Sequence, residues 1–507
     1  MLRLAQISLL ALLAAAAPVA AVAAPAADPR PNVIVIMTDD QTFRDMRSMT
    51  QTRRLLGGGG VTFKRNYVSY PVCCPSRATY LSGQYAHNHR VLGNYLPSGG
   101  YARFDKWENL PVWLSRAGYH TVHVGRYLNG YGSDVPADLP PGWSEWYGAI
   151  GTSSYRMWGY SLNENGRRRT YGDLLDSDPT MYQTDLLKDR ALDVIRHGSE
   201  NGRPFFLSIA FLAPHKEGAD IVDRADTGVR PAPRHRGLFA HARLPRPRSF
   251  NERDVSDKPR LIRRRRRLDP GDVSDIRYRF RERQESLLAV DEAVAAIVQE
   301  LAADGVLDNT YLLFTSDNGF FQGEHRVPSG KVLAYDPSTH VPLLLRGPGI
   351  PPGGVSNELV GNIDLAPTVL EIAGATPGKP VDGRSLLPFA RNPSLRTGRP
   401  LLHETGGRRY VPSEDVDAGE PPATRRQLTY RAVRTRRWLW VEYRGGGGRE
   451  LYDLVRDPAE LRSRHADPRY RRTRAALHRL LIRLAHCRGD SCRRAIRPIP
   501  RPARRHR

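Results

Sequence analysis

Cysteine is scarce in this chain, four in 507 residues with two of them adjacent, and that excludes a small scaffold built on a disulfide framework. Beyond about residue 24 no apolar run reaches the length of a membrane-spanning helix, and no lipid-attachment Cys follows the opening apolar segment. No internal repeat is visible, which excludes a solenoid. Acidic residues are outnumbered, 53 Asp and Glu against 77 Lys and Arg, for a formal net charge of +24. The deficit is local. Residues 461–507 hold two Asp and no Glu against 16 Arg, so 16 − 2 = +14 of the excess lies there.

A hydrophobic content of 40% in a chain of this length is enough for a large core and for more than one domain. The segment Met1-Leu2-Arg3, an apolar run to Ala24 and the small-residue pattern Ala21-Val22-Ala23 read as a cleavable secretory signal over residues 1–24, the alternative being a retained anchor. The mature protein is expected to be secreted and soluble, with no membrane span. Cys487 and Cys492 are expected to close a small disulfide loop around Arg488-Gly489-Asp490-Ser491; an adhesion reading of the Arg-Gly-Asp tripeptide carries no weight, because such a tripeptide is common. Arg263 to Arg267 form a second basic block, inside an Arg- and Pro-rich insertion at about 224–283. Such blocks are solvated loops and tails, or they engage a polyanion by counterion release; no specific nucleic-acid recognition is expected.

Several short apolar runs end at once in polar residues, as buried strands do when they present groups at their carboxyl ends. Residues 33–37 deliver Thr38, Asp39 and Asp40, and residues 121–124 deliver Gly125 and Arg126. Residues 205–211 lead to Pro214 and His215, and residues 311–315 to Asp317, Asn318 and Gly319. Between them the spacing of Leu287, Val290, Val294, Ile297, Val298 and Leu301 predicts a helix over 286–303, ended by Asp304-Gly305. Alternating strand and helix predicts a three-layer α/β core. From about residue 391 the pattern changes to short antiparallel strands at 430–433, 438–443 and 450–453, then a helix over 470–484 and a disordered Pro/Arg tail. The expected organisation is a main domain over 30–390, a smaller subdomain over 391–488 and a basic tail over 489–507.

Asp39 and Asp40 at one strand end, with Asp317 and Asn318 at another far away in sequence, are hard oxygen donors that suit Ca²⁺ or Mg²⁺ better than zinc. Taken singly, an Asp-Asp pair at a strand end is a cap or a turn, and Asp-Asn-Gly is an ordinary turn. The run Cys73-Cys74-Pro75-Ser76-Arg77, continued by Ala78-Thr79-Tyr80-Leu81-Ser82-Gly83, changes that balance. It resembles the signature of the formylglycine-dependent sulfatases, in which the first Cys is oxidised to an aldehyde after translation by a formylglycine-generating enzyme. Cys73 occupies that place and Cys74 does not. The resemblance implies the alkaline-phosphatase-like fold with a large mixed sheet. It also implies one divalent cation, usually Ca²⁺, held by Asp39, Asp40, Asp317, Asn318 and residue 73.

By the same resemblance, Arg77 reaches back to the formylglycine and His215 contacts the transferred group and protonates the leaving oxygen. Lys331, in Ser329-Gly330-Lys331, binds a sulfate oxygen, and His325 is either a pocket residue or part of a loop. Pro75 in the first turn of a helix would aim residue 73 at a positive helix end, where a sulfate would sit. Arg126 stands where most members carry Lys; the charge is kept, but the compact ammonium is not. Leu128 stands where many carry His. Gln84 to His89, Tyr127 to Gly132 and Gly142 to Tyr147 resemble the N-acetylglucosamine-6-sulfatase and extracellular endosulfatase branch, which accounts for Leu128 and leaves Arg126 as the departure. The reading that follows is a secreted sulfatase acting on a sulfated carbohydrate, with glucosamine 6-O-sulfate as one candidate. Its rivals are a phosphoester or phosphonate hydrolase of the same superfamily and a noncatalytic polyanion-binding relative.

Overall fold

The computed structural model describes residues 28–174, 178–200, 202–218, 228–406 and 429–503; the segment read as a secretory signal lies outside them. A ten-stranded mixed sheet organises the main unit. Its order is Gly354–Ser356, Val61–Phe63, Leu343–Arg346, Thr310–Ser316, Asn32–Thr38, Phe205–Ala210, His120–Gly125, Glu145–Ala149, Tyr160–Glu164 and Arg167–Tyr171. The four central strands, from Thr310–Ser316 to His120–Gly125, are mutually parallel. Antiparallel pairing enters on both sides, through Leu343–Arg346 and Tyr160–Glu164.

The pleat divides the core in two. Ile34, Ile36, Val122, Val124, Leu207, Ile209, Leu312 and Phe314 face one layer, where the helices Gln183–Glu200 and Pro270–Ala303 pack. Val33, Val35, Met37, Phe206, Tyr311 and Leu313 face the other, which holds the helices Cys73–Ser82, Leu110–Arg116 and Leu365–Ala373. Strands buried on both faces read as continuous apolar runs, which is why they stood out in the sequence. The three-layer α/β core is therefore observed.

The helix expected over 286–303 begins at Pro270. Asp269 and Asp272 cap it reciprocally, and Ile276 and Phe280 pack on Leu244, so the end of the Arg-rich insertion is helical rather than loop. Arg266 in the basic block pairs with Asp272 at 2.6 Å. A separate four-stranded antiparallel sheet runs Leu401–Glu404, Tyr430–Arg434, Trp438–Tyr443, Arg449–Asp453; its first strand was not anticipated. The helix Arg471–Leu484 lays Thr473, Leu477, Leu480, Leu481 and Leu484 in its buried face, each leucine worth about 1.5–3 kcal/mol of apolar burial. Cys487 and Cys492 form the expected disulfide. The tail departs from expectation over its described residues: Ile496 and Ile499 pack on the cluster that holds Leu477, Leu481 and Leu484, and Thr473 Oγ1 donates to the Pro500 carbonyl at 2.7 Å. Apolar residues spaced among the arginines supply the contact that charge alone would not.

Candidate active site

The central strands end along one edge of the sheet, and their registers decide what meets there. Met37 pairs with Ala210 and Thr38 with Ser316, while Gly125 also pairs with Ala210. The residues just beyond, Asp39, Asp40, Asp317, Asn318 and Arg126, are thereby brought together, and all are buried. Asp40 takes a left-handed φ of 66°, a conformation that Asp tolerates better than most residues. Its backbone amide donates to Asp317 Oδ1 at 3.2 Å, which ties the two strand ends.

Cys73 is the first residue of the helix Cys73–Ser82, with Pro75 in the first turn, where its missing N–H costs nothing. Gly83 closes the helix in the left-handed conformation, φ 65°, with Val381 side-chain atoms 3.0 Å from where a Cβ would stand. The Cys73 sulfur is fully buried, 3.4 Å from Asp39 Oδ1 and 3.0 Å from Lys331 Nζ. The same ammonium donates to Asp40 Oδ1 at 2.7 Å, as does Asn318 Nδ2 at 2.5 Å. Cys74 points elsewhere, into the core, where burial pushes its thiol up to about 12.

Two arginines meet the Asp39 carboxylate, Arg77 at 3.0 Å and Arg126 at 2.5 Å. Arg77 also donates through Nε to Asp317 Oδ2 at 2.9 Å and through Nη1 to the Arg126 carbonyl at 2.8 Å. Its guanidinium thus spans the two strand ends. Arg126 lies 3.9 Å over the Tyr155 ring, a cation–π contact inside a buried site. Burial opposes ionisation of Asp39, but Arg126, His215, Arg77 and Lys331 outweigh it and hold the carboxyl well below its ordinary range. Asp317 goes the other way, pushed up to about 6 by burial and by the neighbouring Asp39 charge.

His215 Nδ1 lies 2.6 Å from the Lys216 carbonyl, an acceptor only, so that nitrogen carries hydrogen and Nε2 faces Asp40 Oδ2 at 3.5 Å. The nine residues assigned a catalytic or cation-binding role from the sequence therefore share one buried cluster. His325 does not join it: Nδ1 lies 2.7 Å from Glu252 Oε2, and the ring stacks on Tyr335 at 4.3 Å.

The donor set fits a divalent cation. Oxygen, nitrogen and sulfur atoms of Asp39, Asp40, Cys73 and His215 lie within 4.8 Å of one another. Asn318 Oδ1 is buried with no hydrogen-bond partner among the described residues, an orphaned acceptor next in the chain to Asp317, whose ionisation burial opposes. A hard cation would satisfy the first and neutralise the second.

Sequence reasoning missed two residues of the site. Tyr155 is the ring under Arg126. Arg283 is 4% exposed, and its Nη2 donates to the Asp40 carbonyl at 2.7 Å and its Nη1 to the Pro214 carbonyl at 3.0 Å. It was hidden at the end of an Arg-rich stretch; the only signal was its place inside an apolar helical repeat.

Comparison with known proteins gives consistent matches. A family model described as Sulfatase matches residues 31–375. The N-acetylglucosamine-6-sulfatase of Capra hircus is 35% identical over 497 residues, covering 92% of this chain and 85% of the relative. The extracellular sulfatase SULF-1 homolog of Drosophila melanogaster is 34% identical, over 78% of this chain and 34% of its own length. In fold, the chain resembles a protein solved in complex with its substrate D-glucosamine-2-N,6-O-disulfate. The TM-score is 0.68 at 22% identity, over 89% of this chain and 97% of the other.

Proposed function

Given that this chain belongs to the sulfatase family and is an enzyme that hydrolyses sulfate esters, we propose that its substrate is a sulfate monoester on a carbohydrate, with the 6-O-sulfate of a glucosamine as the leading candidate. We place it outside the cytoplasm, after removal of residues 1–24, with a catalytic unit over 30–390, a C-terminal subdomain over 391–488 and a basic tail that can contact polyanions. Cys73 is, in this reading, the precursor of a formylglycine made by a maturation enzyme of the host. Asp39, Asp40, Asp317, Asn318 and residue 73 would hold one Ca²⁺ or Mg²⁺. The observation that carries the reading is the placement of the Cys73 side chain at a helix N-terminus, between the Asp39 carboxylate and the Lys331 ammonium.

Formylglycine, when hydrated, supplies a hydroxyl nucleophile together with a second hydroxyl that gives sulfate an exit, which Ser or Thr would lack. A bound cation supplies positive charge to sulfate oxygens. The chain's own groups do the rest. Lys331 and Arg126 are the cations placed to meet the oxyanion, and Arg77 fixes Asp39 and Asp317 relative to each other. His215, with its Nδ1 committed to a carbonyl, has Nε2 to hold a proton for the departing alcohol oxygen. Arg in place of Lys at residue 126 gives a planar donor anchored on Tyr155 instead of a mobile ammonium.

Turnover of 4-nitrophenyl sulfate against 4-nitrophenyl phosphate, with and without a chelator, tests this reading. It expects sulfate hydrolysis that a chelator abolishes. Preferred hydrolysis of the phosphate ester would give the site to phosphoester chemistry. No turnover of either by protein carrying formylglycine would leave a binding protein on the sulfatase fold.

A further inference from the structure

Two guanidiniums clamp the strand ends, one from each layer of the fold. Arg77, on the helix Cys73–Ser82, bonds the side chains of Asp39 and Asp317. Arg283, on the helix Pro270–Ala303 in the opposite layer, bonds main chain instead. Its Nη2 donates to the Asp40 carbonyl at 2.7 Å and its Nη1 to the Pro214 carbonyl at 3.0 Å, and the guanidinium carbon lies 4.7 Å from the centre of the Phe320 ring. Asp40 follows the strand Asn32–Thr38, Pro214 follows Phe205–Ala210 and Phe320 follows Thr310–Ser316. One side chain therefore touches the exits of three neighbouring central strands.

Packing alone does not account for this placement. Arg283 is 4% exposed, and taking a guanidinium out of water is costly unless a short ion pair offsets it. The carboxylate it meets, Asp45, stands 3.3 Å away and already accepts the Thr42 amide at 3.0 Å and Gln284 Nε2 at 2.9 Å. Its Nε has no hydrogen-bond partner among the described residues. A neutral donor would satisfy either carbonyl, whereas a planar fork with fixed donor spacing holds both at a set separation. The Pro214 carbonyl belongs to the peptide that leads into His215, and His215 Nε2 lies 3.5 Å from Asp40 Oδ2. The base of the fork is itself held, because Asp291 on the same helix accepts the Gln51 amide at 2.9 Å and the Thr52 amide at 2.7 Å.

We propose that Arg283 is a positioning residue for sulfate-ester hydrolysis: by holding the Asp40 and Pro214 carbonyls on one fork, it fixes the cation ligand Asp40 and the proton donor His215 relative to each other, without touching substrate. The inference rests on the roles given to Asp40 and His215 above and deepens them, because it makes the two geometries depend on one side chain. An Asp40 carboxylate released from the fork binds a cation less tightly. A displaced His215 leaves the departing oxygen short of its proton, which matters most when that oxygen is basic.

The test is Arg283→Lys in the full chain carrying formylglycine, which keeps the charge and loses the fork. Phe320→Leu is a second variant that removes the ring under the guanidinium and leaves its donors in place. Asp291→Asn, on the same helix but away from the strand ends, is the structural control. Turnover of phenyl sulfate is compared with that of 4-nitrophenyl sulfate, the phenyl ester having the more basic leaving oxygen, and calorimetry follows calcium binding to the cation-free protein. Arg283→Lys should lower kcat about 10²-fold on phenyl sulfate and about tenfold or less on 4-nitrophenyl sulfate, and weaken calcium binding about tenfold. Phe320→Leu should move the rate ratio and the calcium affinity in the same directions, each by about threefold. Asp291→Asn should lower the melting temperature and change neither. An unchanged rate ratio together with unchanged calcium affinity overturns the proposal, read in Arg283→Lys or, if that variant does not fold, in Phe320→Leu. If His215→Gln keeps the wild-type rate ratio, the proton-donor role of His215 falls and calcium binding still reads the fork. If the wild type binds no calcium, the cation reading falls and the rate ratio still reads it.

Discussion

The protein buries charge in two places, and treats it differently in each. At the strand ends, Asp39, Asp40 and Asp317 crowd around Arg77, Arg126 and Lys331, yet Asn318 Oδ1 has no hydrogen-bond partner among the described residues and the Asp317 carboxyl is pushed up to about 6 by burial and by Asp39. At the junction between the main unit and the C-terminal sheet, Glu450 accepts hydroxyls from Tyr335 at 2.5 Å, Tyr443 at 2.7 Å and Tyr452 at 2.5 Å. Lys258 donates there to the Tyr452 hydroxyl at 3.0 Å and to the Glu460 carbonyl. A carboxylate surrounded by hydroxyl donors is finished. A set of carboxylates with an orphaned amide oxygen next in the chain has the open acceptor that the proposed cation would meet. Burial alone does not mark a functional site, and neither does one orphaned atom, since Glu460 Oε1 at the junction also has no hydrogen bond among the described residues; what sets the strand ends apart is an orphaned acceptor among several converging carboxylates and cations.

The largest effect expected is at the centre. Cys73→Ala should lower kcat by at least about 10³-fold on 4-nitrophenyl sulfate, whereas Cys74→Ala should keep kcat and cost about 1–2 kcal/mol of stability in a denaturant titration. Equal activity in the two variants would remove Cys73 from the chemistry of the centre. Next comes Arg126. Replacement by Ala should cost about 10²–10³ in kcat/KM, while Arg126→Lys should stay within about tenfold of the wild type, since a cation is restored. An Ala variant with wild-type kinetics would reduce Arg126 to a structural partner of Tyr155.

Two smaller effects should be confined to stability. Removing the Cys487–Cys492 disulfide by a double Ser substitution should cost about 2 kcal/mol, from the short loop it closes. His87 Nε2 and Asn88 Nδ2, each 2.9 Å from the Cys487 carbonyl, hold the loop in place, so kcat should not change. A fall in kcat would mean that the subdomain positions the helix behind Cys73. At the junction, burial pushes Glu252 up from 4.5 to about 7. The folded protein then keeps a proton through that window which the unfolded chain releases, so stability falls as pH rises from about 4.5 to 7. Discounted for solvent access, the fall is about 1 kcal/mol, and Glu252→Gln should flatten it relative to the wild type in thermal melts across that range. Identical slopes would remove Glu252 from the account.

The centre was legible because it is built at the ends of parallel strands, where apolar runs stop abruptly at Asp39, Arg126 and Asp317, and because the helix carrying Cys73 has a distinctive sequence. The junction was not legible. Glu252, Lys258, Glu450 and Glu460 come from loops and an antiparallel sheet distant in sequence, and a single Glu or Tyr carries no spacing that announces a buried partner. Arg283 was missed for a related reason: one arginine that turns inward looks like its solvated neighbours. The helix from Pro270 was shortened in the reading because polar residues dominate its first turns, and only Ile276 and Phe280 mark the side that packs. The docked tail shows the same masking by arginine, with Ile496 and Ile499 making the contact.

The most direct test is the mass of the tryptic peptide of residues 66–77, from protein produced in its native host, after reduction and alkylation. Conversion of Cys73 to formylglycine predicts one alkylated thiol, on Cys74, and a peptide about 18 Da lighter apart from the alkyl group. Two alkylated cysteines and no mass loss would contradict the account, because the side chain at the helix N-terminus would then be an ordinary thiol.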